Sequence, residues 1–254
     1  MSTRFRGELR YHKTNALLDN CSLEYVEKLS SIAGDTEPRC FGYATDFVTW
    51  EGPLADGTAN NWLLSSVGTG TIVGAADDAT GGAITLTTGA TEDDNANLEF
   101  LGEAFRYTVG KRMWFSIRVK ASDVDEVDLI FGLAIGADTD VFSTLPTDGI
   151  FFEKADAGTK MDFHVRQDGT STEKTLVDSS ALVDATYREY GFHVDVLGHF
   201  HVYVDGVEIP AAAVLASDAN IPNDENLTLY IAIQTGEAAA NTLDVDHVLI
   251  VQER

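Results

Sequence analysis

Phe192-His-Val-Asp-Val-Leu-Gly-His-Phe-His-Val-Tyr-Val-Asp-Gly-Val-Glu-Ile209 decides the fold, because this stretch spells out two β-hairpin turns together with their register. Asp205-Gly206 is a two-residue hairpin turn that sets Val204 opposite Val207 and Val202 opposite Ile209, so apolar meets apolar across the ladder. Upstream, a three-residue turn at Val196-Leu197-Gly198 sets Asp195 opposite His199, Val194 opposite Phe200 and His193 opposite His201. Phe192, Val194, Phe200 and Val202 then face a core, and the residues between them face away from it.

Working outward, the same period of two recurs. Met113, Phe115, Ile117 and Val119 alternate with Arg112, Trp114, Ser116 and Arg118, and Val127, Leu129, Phe131, Leu133 and Ile135 repeat the pattern. Further strands are expected at 46–50, 62–67, 82–88, 96–101, 149–154, 160–166, 187–196, 199–204, 207–210, 227–235 and 241–251, separated by Gly, Asn, Asp and Thr clusters. About a dozen strands with no helices between them predict an all-β antiparallel β-sandwich.

One segment breaks the pattern. In Ser22–Ala33, Leu23, Val26, Leu29 and Ile32 stand three apart and form one helical face, with Asn20 or Ser22 to cap its start and Gly34 to end it. The expected organisation is an N-terminal attachment segment, 1–45, with a helix near 22–33, followed by a sandwich over 46–254.

Charge divides the chain at nearly the same place. Of 254 residues, 17 are Lys or Arg and 41 Asp or Glu, a net charge of −24. Residues 1–40 hold six of each sign (Arg4, Arg6, Arg10, Lys13, Lys28 and Arg39 against Glu8, Asp19, Glu24, Glu27, Asp35 and Glu37), so the whole excess belongs to the remainder. Such acidity argues against nucleic acid as a partner, since phosphate binding draws on Lys and Arg. With 44% hydrophobic and 23% charged residues this is a folding composition. No apolar run approaches membrane-spanning length, and the first ten residues lack the apolar stretch of a secretory signal, so synthesis in a cytoplasm and no membrane contact are expected. Cys21 and Cys40 could pair or remain two reduced, packed thiols.

Three constellations could carry chemistry. The register above puts His193, Asp195, His199 and His201 on one outer hairpin face; these are zinc-ligand types, and equally what a solvent-facing sheet displays. Ligands on a flat face rarely converge tetrahedrally, so no metal and no cofactor is expected. Glu92-Asp-Asp-Asn-Ala-Asn-Leu-Glu99 offers oxygen ligands for calcium but lacks the glycine and closing glutamate of an EF-hand loop, which leaves an acidic turn entering a strand. Glu126-Val-Asp128-Leu-Ile130 approaches the two-carboxylate strand of sandwich glycosidases, yet Ile130 in one register and Phe131 in the other stand where the second catalytic carboxylate would be. No Gly-x-Ser-x-Gly elbow, phosphate loop or His-Glu-x-x-His is present, and His12, His164 and His247 are solitary. The expectation is a protein that is not an enzyme.

The hairpin 201–209 resembles the strand-Asp-Gly-strand of concanavalin-like and laminin-G-like jelly rolls, and Asn241-Thr-Leu-Asp-Val-Asp-His-Val-Leu-Ile-Val251 resembles their terminal strand. Gly110-Lys-Arg-Met-Trp-Phe-Ser-Ile-Arg-Val-Lys120, Thr147-Asp-Gly-Ile-Phe-Phe-Glu-Lys154 and Ile231-Ala-Ile-Gln-Thr-Gly-Glu-Ala-Ala-Ala240 resemble a group of tailed-bacteriophage virion proteins, a likeness that covers residues 80–254. It implies a structural protein decorating or cementing the outer capsid surface. Its partners would be the major capsid protein and neighbouring copies of itself, as a trimer or dimer. Arg4, Arg6, Arg10 and Lys13 are then the capsid-docking residues. The alternative is a carbohydrate-binding module or adhesin of a phage tail or fibre, with Trp114 and Tyr203, both pointing away from the apolar set, as sugar-facing aromatics.

Overall fold

Alternating sequence becomes strand after strand in the computed structural model, which describes residues 40–45, 47, 58–59, 62–74, 82–136, 140–158, 160–177 and 181–253. In chain order the strands are β1 (Cys40–Thr45), β2 (Thr58–Ala59), β3 (Trp62–Ser65), β4 (Thr71–Gly74), β5 (Ile84–Thr87), β6 (Asn95–Phe100), β7 (Met113–Ala121), β8 (Val127–Ala134), β9 (Gly149–Lys154), β10 (Asp162–Gln167), β11 (Thr170–Thr175), β12 (Arg188–Val194), β13 (Phe200–Val204), β14 (Val207–Glu208), β15 (Thr228–Thr235) and β16 (Thr242–Glu253). Among the described residues the only helical piece is a 3-10 turn at Pro210–Ala212. Sheet A runs β14-β13-β12-β7-β16-β5-β4, with β1 also paired to β16; sheet B runs β11-β10-β9-β8-β15-β6-β3-β2. All pairings are antiparallel, so the fold is an all-β sandwich of two sheets.

The hairpins form in the expected register. Val194 pairs with Phe200, His193 with His201, Val204 with Val207 and Tyr203 with Glu208. Asp205 and Gly206 both take positive φ, 49° and 74°, the primed-turn geometry that matches the twist of the two strands. Phe192, Val194, Phe200 and Val202 enter the core.

The core between the sheets is largely aromatic. Phe163 of sheet B lies 5.8 Å from Phe192 and 6.3 Å from Phe200 of sheet A, and Tyr190 sits 5.6 Å from both Phe131 and Phe152. Such tilted pairs add to the area they bury. Sheet B is covered on its outer side too: Ile130, Ala134, Phe151, Tyr230 and Ala232 pack beneath Val141, Phe142 and Leu145 of the β8–β9 connection.

Several elements differ from expectation. Cys40–Thr45, read from sequence as the end of the attachment segment, pairs residue for residue with β16 and belongs to sheet A. β11, Thr-Ser-Thr-Glu-Lys-Thr, has no apolar alternation because it is the edge of sheet B, with no core to face. A bulge at Val245/His247 in β16 shifts the alternation by one: Leu243, Val245, Val248 and Ile250 face the core, and Leu249 turns outward onto Trp114 and Val251. His247 therefore lies on the outer side, 3.7 Å from the carboxylate of Asp246. Of the expected strand 46–50 only Phe47 is described, buried beside Trp62 and not in a strand. The expected helix near 22–33, Cys21, and the docking residues Arg4, Arg6, Arg10 and Lys13 lie outside the described residues. No helix among the described residues is long and apolar enough to cross a membrane.

Candidate functional site

Three rings stand in a row on the outer face of sheet A, one from each of three neighbouring strands. Trp114 of β7 stacks on His193 of β12 (centroids 5.1 Å, planes 15° apart), and His193 on His201 of β13 (5.8 Å, 24°). The row follows from register: His193 is directly opposite both Trp114 and His201. Beside it lies a cleft of about 330 Å³ lined by Arg112, His193, Asp195, Val196, His201, Tyr203 and Glu208.

Asp195 anchors the cleft. One of its oxygens accepts hydrogen bonds from the backbone N–H groups of Leu197 (2.8 Å) and His199 (2.9 Å), closing the β12–β13 turn. The other points at His201 Nε2 (3.5 Å) and His199 Nδ1 (3.6 Å). His201 Nδ1 lies 2.8 Å from Glu208 Oε1, so this imidazole bridges two carboxylates. Burial works against its charged form, but the contacts with Glu208 and Asp195 outweigh burial and hold its pKa above the ordinary value. Burial raises the Asp195 pKa, yet the His199 amide and the other donors prevail and lower it.

His193 is the reverse case. It is 5% exposed, neither ring nitrogen has a hydrogen-bond partner, and burial followed by the charge of His201 lowers its pKa to about 4. It is a neutral imidazole at pH 7. Tyr203, 3% exposed, keeps its proton, its pKa pushed up to about 12 by burial and then by Glu208.

The sequence-derived site residues fare unevenly. His193, Asp195, His199 and His201 do come together on one face, as the hairpin register required. Among the described residues no group of three or more His, Cys, Asp or Glu side chains is placed to hold a metal ion. Carboxylates interleave the imidazoles here: His201 turns its two nitrogens toward Glu208 and Asp195 and not toward a shared centre. Trp114 points outward but is not an exposed sugar platform, since it is fully buried among His193, Leu249 and Val251. Tyr203 reaches the cleft wall with little of its ring exposed.

Three lining residues were absent from the sequence-derived site: Val196, in the turn between β12 and β13, Glu208 and Arg112. Glu208 was within reach, since the Asp205-Gly206 turn pairs it with Tyr203 on the outer face. Arg112 carried no local signal, because its place depends on β7 lying beside β12.

On the outer face of sheet B, Asp128 accepts the backbone N–H of Asp156 at 2.6 Å, and burial raises its pKa. Ile130, at the closing position of the carboxylate strand, is buried under Val141 and Phe151. His164, solitary in sequence, stacks on Phe151 (5.2 Å) and brings Nε2 to 2.8 Å from Glu153.

No protein-family model matches the chain, and no curated protein matches its sequence. Solved structures do match its fold. Endo-1,3-β-glucanase from Streptomyces sioyaensis superposes with a TM-score of 0.56 at 14% identity, over 87% of this chain and 99% of that one. Peanut lectin gives 0.52 at 10% identity, over 84% and 97%. Endo-β-1,4-glucuronan lyase from the fungus Trichoderma reesei gives 0.51 at 12% identity, over 82% and 94%. The chain is thus a concanavalin-like, lectin-like jelly-roll β-sandwich. The expectation that it is not an enzyme is corrected by the same matches, since a glucanase and a lyase are built on this fold.

Proposed function

We propose that this protein binds carbohydrate through the cleft between β7, β12, β13 and β14. The observation that carries the reading is His193, buried in the cleft wall with both ring nitrogens unpartnered. A buried polar atom without a hydrogen bond costs about 1–3 kcal/mol, and a ligand hydroxyl that displaces the side chains covering the ring recovers part of that. Around it stand planar and charged groups of both signs, Arg112, Asp195, His201 and Glu208, with the phenol of Tyr203. A small cleft with a few convergent polar groups on a rigid sheet is what orients a hydroxylated ligand.

The test is titration of the full chain against a panel of mono- and oligosaccharides, beside His193→Phe, which keeps a flat ring in the stack. Saturable binding by the wild type, lost in a His193→Phe variant of unchanged melting temperature, is the expected result. A blank panel with folded wild-type protein overturns the reading.

A virion-surface role, implied by the resemblance of residues 110–120, 147–154 and 231–240, is the second reading. What favours it is a set of exposed apolar side chains, Val109, Val196, Leu197 and Leu215, in turns at the same end of sheet A. Tyr107 Oη, 3.4 Å from the Gly198 carbonyl, ties two of these turns together. Exposed apolar patches mark protein partners, here a capsid protein or a second copy. Co-sedimentation with undecorated capsids tests it, and loss of pelleting in Leu197→Ser is the expected companion result.

A further inference from the structure

We infer that the cleft selects a sugar carrying a primary amine, whose ammonium group seats against Asp195, Glu208 and His193. This rests on the carbohydrate reading and adds the chemical class of the ligand.

One imidazole is shared by two carboxylates in this cleft. A neutral imidazole has one N–H, yet His201 stands between two carboxylates, Glu208 at 2.8 Å and Asp195 at 3.5 Å. Whichever carboxylate receives that proton, the other meets a bare ring lone pair. Arg112 is the one Lys or Arg side chain among the residues lining the cleft, beside the two carboxylates. His193, neutral and without a hydrogen-bond partner, adds one acceptor and one N–H to the same wall. An ammonium group has three N–H donors and no acceptor, which fits an oxygen of Asp195 and an oxygen of Glu208 beside the ring of His193. The net charge of −24 also favours a cationic ligand on approach.

At lower pH the missing proton comes from water. The groups facing His201 are His193 from β12, Asp195 and His199 from the β12–β13 turn, Tyr203 on its own strand, Glu208 from β14 and Arg112 ahead of β7. Once His201 is protonated, both carboxylates are engaged and the ammonium competes with that proton. Amine binding therefore weakens as pH falls.

The experiment is calorimetric titration of the full chain with 6-amino-6-deoxyhexoses and with the parent hexoses, near pH 8, above the ordinary imidazole range. We expect the amine to bind at least about tenfold more tightly than its parent, and the preference to shrink near pH 5.5, below that same range. Glu208→Gln should abolish the preference. Glu92→Gln, an equal loss of charge in a distant exposed turn, should keep it, which separates the cleft from the general field of an acidic protein. Equal binding of amine and parent overturns the inference and leaves the carbohydrate reading standing. No binding of either overturns both.

Discussion

The indole of Trp114 and the imidazole of His193 stack 5.1 Å apart on the outer face of sheet A, where burial keeps the histidine neutral within a few ångströms of charged groups. The row ends at His201, whose proton affinity is shifted the opposite way.

The two shifts predict opposite pH dependences of stability. His193 is neutral in the native state down to about pH 4, whereas the unfolded imidazole takes up its proton near 6.5. Its contribution is present above 6.5 and is lost as pH falls toward 4. His201 binds its proton more tightly when folded, so its contribution is complete below 6.5 and fades as pH rises through its higher native pKa. Melting curves of His193→Phe should lose the acid-side decline, and those of His201→Gln the fall above 6.5. Histidine ring resonances followed by NMR should show one group titrating near 4; two histidines both titrating at the ordinary value would refute the assignment.

Asp162 should be a stabilising site for mutation. It stands directly opposite Glu153 across β9 and β10, and one of its buried oxygens has no hydrogen bond. Like charges facing each other across a ladder destabilise it. Asp162→Thr should raise stability by about 0.2–1 kcal/mol, read as a higher urea midpoint at unchanged slope; a lower midpoint contradicts this.

Gly132 cannot be replaced cheaply. A Cβ there would lie 2.6 Å from the Ile150 carbonyl oxygen and 2.6 Å from Phe151 Cα, both in the neighbouring strand. Relief requires β9 to move against the cover of Phe142 and Leu145. Gly132→Ala should cost about 1–3 kcal/mol in chemical denaturation.

Phe192 fills the centre of the core, against Phe115, Phe163 and Phe200. Phe192→Ala should cost about 3–5 kcal/mol, and because the adjoining His193 sits on the opposite face, it should lower stability more than it alters the cleft.

Where one face of a strand meets the core, the sequence reported it. Phe192–Ile209 yielded its turns, its register and the outward placement of His193 and His201, because each turn type admits one pairing and apolar residues had to coincide. β11 was silent because an edge strand over solvent needs no apolar residues. The bulge in β16 was silent because Asp246-His247 reads equally as one polar position or as a step in phase, and only the pairing with β7 decides. Half of the cleft was legible for the same reason. The hairpin contributes His193, Asp195, His201, Tyr203 and Glu208 from contiguous sequence, whereas Arg112, just ahead of β7 and some eighty residues earlier, arrives through sheet order alone.

The placement of β16 bears on how the molecule is made. This strand lies between β7 on one side and β5 and β1 on the other, so the middle of sheet A is the last of its strands to leave the ribosome. Until then β7 has β12 on one edge and an open ladder on the other, a template for a wrong partner. Sheet B has the same arrangement one strand earlier, since β15, its latest strand, lies between β8 and β6 and is complete before β16 begins. Sheet A therefore closes only once β16 has emerged, with Cys40 finding Glu253 across almost the whole described chain, and a nascent chain arrested before Thr242 should be the species a chaperone holds longest.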